Sequence, residues 1–412
     1  MGGLQRMVVL ALFGAACSYE RPLLAGADAG DGADAAVVDA AVVDAVGDLD
    51  AAGACALDDE CASRVCENGG CLPEVAVRYV ATIGDDTAPC TLAAPCATVA
   101  AAIARRPIGG DAFVSISPGG YRGTVTLDDR ASDPPYDVYL IGSGPVGPTI
   151  YATDDGSNAD GIELVHGRAV VRNLAVQGAM SNANSDAIWC GPGTTLAVSD
   201  VVAGPSRSDG IECRDCAVQV AGSQLRDNDG YGLNVTGTGT GQVVVTATVI
   251  DGNGQGGLAL AATDCTVASS QISRNGAASD APVAAVVACG DVVLDGNTFA
   301  GNVAPRARQA SELRCVAATA TLRNNLFAGT QTPLVDGCSH SYSLFYPAPA
   351  PAGTGNLGLA PRFVSATDFH LSADSPAVNA GAPSPPPTAG VDIDGQPRVS
   401  GGRVDVGADE LR

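Results

Sequence analysis

From residue 159 onward, apolar and polar positions alternate in short bursts that return at a near-constant interval. Asp160-Gly161-Ile162-Glu163-Leu164 is echoed by Asp186-Ala187-Ile188-Trp189-Cys190 and by Asp209-Gly210-Ile211-Glu212-Cys213. Gly230-Tyr231-Gly232-Leu233-Asn234-Val235 and Gly256-Gly257-Leu258-Ala259-Leu260 continue the phrase, with lead apolar residues 26, 23, 22 and 25 positions apart. A second phrase pairs apolar residues five apart: Val220 with Leu225, Val245 with Ile250, Val267 with Ile272, Leu294 with Phe299, Leu322 with Phe327. Polar turns follow most of them, at Asn228, Asn253, Asn275 and Asn302. Alternation at period two buries one face of a strand. No unit this short buries that face alone, so neighbouring units must stack. No helix-length segment interrupts them, which disfavours helical solenoids, and a Greek-key sandwich would not require a steady repeat. The expected fold is all-β, a parallel β-helix solenoid of roughly ten coils within residues 78–360.

Parity then assigns faces. With Ile162 and Leu164 inward, Glu163, Trp189, Glu212 and Asn234 point outward in one column and are the candidate binding residues. Asp160, Asp186, Asp209 and Asp229 form a second column at the preceding turn. An indole between carboxylates suits a sugar ring, and carboxylates can do acid/base work. Asp160, Asp186, Asp209 and Arg214 are the catalytic candidates, and the four aspartates are candidate calcium ligands, because a cation offsets their repulsion. The competing reading is ordinary Asp-Gly turn chemistry on a solvated acidic face, with the Trp packed under a loop.

Composition narrows the chemistry. The 412 residues carry a net charge of −23, and all 22 basic residues are Arg. Without Lys there is no Schiff base, catalytic lysine or Walker-type phosphate loop. The acidic balance argues against nucleic acid. Three scattered histidines, His166, His340 and His370, fit no zinc spacing and are expected at the surface or in caps.

The N-terminus reads as an export signal, residues 1–16, with one Arg and a short apolar run before Cys17. Residues 17–54 are rich in Ala and Asp and read as a solvated tether. Cys55, Cys61, Cys66 and Cys71 crowd residues 55–75, where disulfides are expected in an exported chain and zinc is the alternative. Cys90 and Cys96 bracket a loop. Near-coil spacing suggests Cys190–Cys213, Cys265–Cys289 and Cys315–Cys338 bridges, with Cys216 left over; stacked free thiols are the alternative.

Several stretches resemble known families. Phe13-Gly14-Ala15-Ala16-Cys17 looks like a bacterial lipobox, which implies a lipidated Cys17, and Ser18 after it implies the outer membrane. The Cys-rich stretch resembles modules found after the tether of bacterial surface lipoproteins. Ala97–Ala104, an amphipathic helix, precedes Phe113–Tyr121 with its Pro118-Gly119-Gly120-Tyr121 phrase. That order resembles the entry of right-handed parallel β-helix proteins, the pectate-lyase-like superfamily, and implies an N-terminal capping helix. Asp368-Phe369-His370-Leu371, Asp392-Ile393-Asp394-Gly395 and Asp405-Val406-Gly407-Ala408-Asp409-Glu410 resemble the closing signature of bacterial surface β-helix proteins, implying a C-terminal cap over 361–412.

Asn158-Ala159-Asp160-Gly161 is similar to the Asn-Thr-Asp-Gly motif of polygalacturonases, which implies a catalytic Asp. That family's paired aspartates, Gly-His-Gly and Arg-Ile-Lys motifs are absent here. Pectate-lyase-like enzymes use an Arg or Lys base; Arg168, Arg172 and Arg214 are the residues near the acidic columns. The reading that follows is a surface-anchored β-helix lipoprotein that binds glycan or another surface partner, or serves structurally, without catalysis. The alternative is a polysaccharide lyase or glycoside hydrolase.

Overall fold

The structure is a computed structural model that describes residues 54–412 apart from 133, 154–158, 238–240, 279–284, 304–311, 317–318, 330–334 and 385–389. The signal, Cys17 and nearly all of the tether lie outside the described residues, as does Asn158. The chain divides into two compact units, Met1–Val75 and Ala76–Arg412.

The smaller unit holds a short helical turn, Asp58–Glu60, and a two-stranded antiparallel ribbon, Cys66–Glu67 with Gly70–Cys71. Two disulfides, Cys55–Cys66 and Cys61–Cys71, staple it. So little chain buries too little apolar area to hold itself together, and cross-links supply the constraint.

In the larger unit the chain winds through three parallel sheets of ten, ten and nine strands among the described residues. The first runs from Val77–Val80 to Thr319–Arg323, the second from Gly120–Arg122 to Leu344–Tyr346, the third from Val125–Leu127 to Val335–Asp336. Each turn contributes one strand to each, as Ala217–Ala221, Gln224–Arg226 and Tyr231–Thr236 do. Register is residue on residue. Val198, Val220, Val245, Val267, Leu294 and Leu322 stack in the first sheet. Leu225, Ile250, Ile272, Phe299, Phe327 and Phe345 stack in the second. The apolar pairs five apart therefore straddle one corner of the coil. That corner needs a left-handed residue, and Asp200, Gly222, Ala247, Ser269, Gly296 and Asn324 all take positive φ there.

The four asparagines expected as polar turns are buried instead. Each side-chain amide donates to the next: Asn228 to Asn253 at 2.8 Å, Asn253 to Asn275 at 2.9 Å, Asn275 to Asn302 at 3.0 Å. Asn302 ends the ladder on Glu312 at 2.6 Å. Every amide also donates to a backbone carbonyl, that of Asn253 to Leu225 at 2.9 Å for example. The corner backbone is thus satisfied without water. Gly232 makes room for it: a Cβ there would meet Ile250 at 2.5 Å and the Asn253 amide at 2.9 Å.

The N-terminal end of the coil is covered by the helix Val99–Ala104, which buries Val99, Ala102 and Ile103 at helical spacing. Thr98 caps it, accepting from the Ala101 N–H, and the Cys90–Cys96 bridge lies beside it in the core. At the other end, the described part of residues 361–412 packs its apolar Leu371, Ala377 and Val406 on Leu326 and Leu344, the outer face of the last coils of the second sheet. The Ala408 N–H donates to Thr298 Oγ1 at 2.9 Å and the Ala382 N–H to Asn324 Oδ1 at 2.7 Å. The core ends on His340, whose ring meets Phe327 and Phe345 edge-on, with Ala348 and Ala350 packed against the cluster. His340 is therefore a buried core residue and not a surface one, held neutral because burial pushes its pKa down to about 4.

The C-terminal signature has a local explanation. Asp392 accepts backbone N–H groups from Asp394, Gln396 and Glu410. Asp405 accepts from Asn379 and Leu411, and Glu410 from Ser400 and Asp405. The segment has no regular strand among its described residues, so side-chain carboxylates bind the backbone groups that a sheet would otherwise pair.

Removing one rung of the asparagine ladder should strand buried donors and acceptors in both neighbouring coils. Asn253→Ala is expected to lower stability by about 2–4 kcal/mol, measured by urea unfolding. Asn184→Ala, at an exposed turn, serves as the neutral control.

Candidate functional site

The candidate site lies on the outer face of the third sheet. Strands Ile162–Leu164, Ile188–Cys190, Ile211–Arg214 and Tyr231–Thr236 stack so that Glu163, Trp189, Glu212 and Asn234 are direct neighbours. The inward partners Ile162, Ile188, Ile211 and Leu233 are fully buried, which fixes the parity. Thr126 extends the column below Glu163, donating to Glu163 Oε2 at 3.3 Å. Trp189 is half-buried. Its indole reaches over Gly191, where a Cβ would sit 2.9 Å from the ring, so glycine there lets the ring lie down along the face.

The turn aspartates are tied to the backbone of the next coil. Asp160 Oδ1 accepts from the Asp186 N–H at 2.8 Å, Asp186 Oδ1 from the Asp209 N–H at 2.7 Å, and Asp209 Oδ1 from the Tyr231 N–H at 2.6 Å. Asp209 also accepts from the Asn234 amide at 2.8 Å. Asp229 does not join them. Because Ile211 pairs with Leu233, Tyr231 occupies the position below Asp209, and Asp229 lies two residues earlier, where it pairs with Arg207. The offset of 22 between Asp209 and Tyr231 is readable in the sequence, but the Asp at 229 masks it.

Burial separates the carboxylates. Asp186 is 1% exposed and Asp209 5%, so neither can touch a ligand directly, and Glu212, expected to point outward, is buried as well because Arg214 lies against it. Desolvation pushes Asp160 up to about 6. It drives Asp186 well above the carboxylate range, helped by the neighbouring Asp209 and Glu212 charges, and raises Asp209 as well. Burial thus favours the protonated form of Asp186. Glu212 holds Arg214 by two contacts, at 2.7 and 3.1 Å. Those contacts raise the Arg214 pKa, the opposite of what a proton-abstracting base requires.

Metal-ligating geometry lies elsewhere. Among the described residues, the groups of three ligand atoms mutually within 4.8 Å are Cys55, Cys61 and Cys66, and His370, Asp394 and Asp409. The three cysteines are oxidised, which answers the zinc alternative for that module. The aspartate column is not such a group, because its oxygens are directed one per coil at backbone N–H groups. Two cavities are lined by other residues: about 180 Å³ beside Arg106, Ile108 and Pro134, and about 30 Å³ beside Pro383 and Arg403.

One bridge is corrected. Cys213 joins Cys216, and Cys190 is the free cysteine among the described residues, fully buried with its thiol pKa raised by burial. Cys190 and Cys213 do stack in register. Side chains stacked on parallel strands point the same way, side by side, whereas Cys216 approaches Cys213 from across the corner. Cys265–Cys289 and Cys315–Cys338 are bridged as the spacing suggested. Arg168 pairs with Asp137 at 2.7 Å, at the edge of the first sheet and away from the column. His166 pairs with Asp129.

With the coil and the column in place, comparison with known proteins identifies the class. The sequence matches a family model described as a right-handed beta helix region over residues 156–342, about seven turns of the coil. Among solved structures, the crystal structure of the pectate lyase Pel9A superposes with a TM-score of 0.54 at 16% identity, over 82% of this chain and 96% of that one. At that identity the likeness speaks for the fold alone. No curated protein matches the sequence. The protein has a right-handed parallel β-helix fold, similar to that of this pectate lyase.

Raised carboxylate pKa values carry a sign. The folded state holds the Asp160 and Asp186 protons at pH values where the unfolded chain, titrating near 3.8, has lost them. Stability contributed by these groups is therefore full below about pH 4 and falls as pH rises through neutrality. Asp186→Asn keeps the acceptor and the donor without the charge. It should leave the melting temperature unchanged near pH 4 and raise it near pH 8, flattening the slope. An unaltered slope would mean that the pair does not titrate as described.

Proposed function

We propose that this β-helix binds a neutral polysaccharide along the Glu163–Trp189–Glu212–Asn234 column and does not cleave it. The observation that carries this reading is the half-buried indole of Trp189, laid over Gly191 with Glu163 on one side and the Glu212–Arg214 pair on the other. Indole faces stack on sugar rings, and carboxylates and amides take up hydroxyls. A chain of net charge −23 repels uronate polymers, which favours neutral glycans.

Catalysis fits the same residues poorly. Inverting hydrolysis needs an accessible acid and an accessible base about 6.5–9.5 Å apart. Here the strongest acid candidate, Asp186, is enclosed and engaged with backbone. A lyase needs a base that can lose its proton, and Arg214 is held protonated by Glu212.

Retention of the full chain on immobilised neutral polysaccharides tests the reading. Trp189→Ala should weaken binding at least tenfold, about 1.4 kcal/mol, with no new reducing ends or unsaturated products from the wild type. Undiminished retention after that substitution would remove the column from the account, and product would make the protein an enzyme.

We further propose export and anchoring through a lipidated Cys17, with residues 17–54 as tether. Six disulfides among the described residues support an oxidising compartment. Cys17→Ser should move the chain from the membrane fraction to the soluble fraction of the producing cell. A variant that stays with the membrane would count against the anchor.

A further inference from the structure

We propose that His370, Asp394 and Asp409, in the C-terminal segment, form a binding site for a zinc ion. The imidazole has two different environments. Its Nδ1 is tied to Asp368 Oδ1 at 2.5 Å, while Nε2 faces Asp394 Oδ1 at 3.3 Å. A charge-assisted hydrogen bond would close to about 2.7–2.9 Å. An ion with tetrahedral bonds of about 2.0 Å separates neighbouring ligand atoms by roughly 3.3 Å. The longer contact thus has the length of a coordination edge. A carboxylate oxygen of Asp409 completes the set, with all three ligand atoms within 4.8 Å of one another.

The surroundings suit a ligand histidine. A carboxylate on the far ring nitrogen fixes the tautomer and the ring plane, the arrangement that metal-bound histidines use. The third carboxylate is held in place too, since Asp409 Oδ2 accepts the Leu371 N–H at 2.6 Å. One imidazole nitrogen with two carboxylates favours zinc over calcium, which wants six to eight oxygens, and over magnesium, which wants an octahedral oxygen shell.

The site also has a structural reason. Its ligands come from three stretches of a segment without regular strands among the described residues, so an ion would cross-tie 370, 394 and 409. Phe369, next to the histidine ligand, packs under Arg274 of the coil, whose Nη1 donates to the Thr367 carbonyl at 3.1 Å. Zinc would fasten the segment where it meets the coil.

The test is equilibrium dialysis of the full oxidised chain, stripped of metal, against zinc chloride near pH 7.5, with metal counted by mass spectrometry. One zinc per chain at micromolar concentration is expected, together with a higher melting temperature. Asp394→Asn, at an exposed position, and His370→Gln should each weaken binding at least tenfold and remove the melting shift. His166→Asn, which disrupts the other His–Asp pair of this unit, should leave both intact, and calcium should produce no shift. No zinc bound at about 100 µM, or stoichiometric binding that survives Asp394→Asn, would overturn the assignment.

Discussion

Residue-on-residue stacking of successive coils is the constraint on which the rest of this protein depends. Each coil lends its backbone hydrogen bonds to the next, so side chains at one position in the repeat meet their own kind. Apolar positions form columns such as Val220–Val245–Val267, which exclude water from the coil interior. The same geometry makes a buried polar column tolerable. An asparagine can donate to the asparagine above and accept from the one below, and the Asn228–Asn302 ladder does so. A single buried asparagine in this corner would leave hydrogen-bonding groups unmet.

The acidic face follows from the same rule with a different outcome. Aspartates repeated at one corner would repel if all were charged. Here Asp160, Asp186 and Asp209 each accept a backbone N–H from the following coil, and burial favours the protonated form of Asp186. The column is thus primarily a device for joining coils. Beside it runs the outward column, where Trp189 offers apolar surface and Glu163 and Asn234 polar edges, while Glu212 is buried under its contacts with Arg214.

The fold was legible because period-two alternation inside a near-constant repeat has few physical solutions. Face assignment was legible too, since parity follows directly from which residue of each phrase is large and apolar. Burial depth was not. Asp186 and Asp209 read as turn residues beside a groove, yet the neighbouring coils enclose them. Asp229 shows how a coil shortened by one or two residues shifts register without changing the look of the motif.

The sequence by itself determined the solenoid, its core columns and the Cys265–Cys289 and Cys315–Cys338 bridges, because each is a consequence of local pattern repeated at a fixed interval. Only the tertiary structure decided which half-cysteine pairs with Cys213, where the C-terminal segment lies and which carboxylates keep their protons. Those depend on directions across a corner and on distance from solvent, and neither is encoded in spacing along the chain.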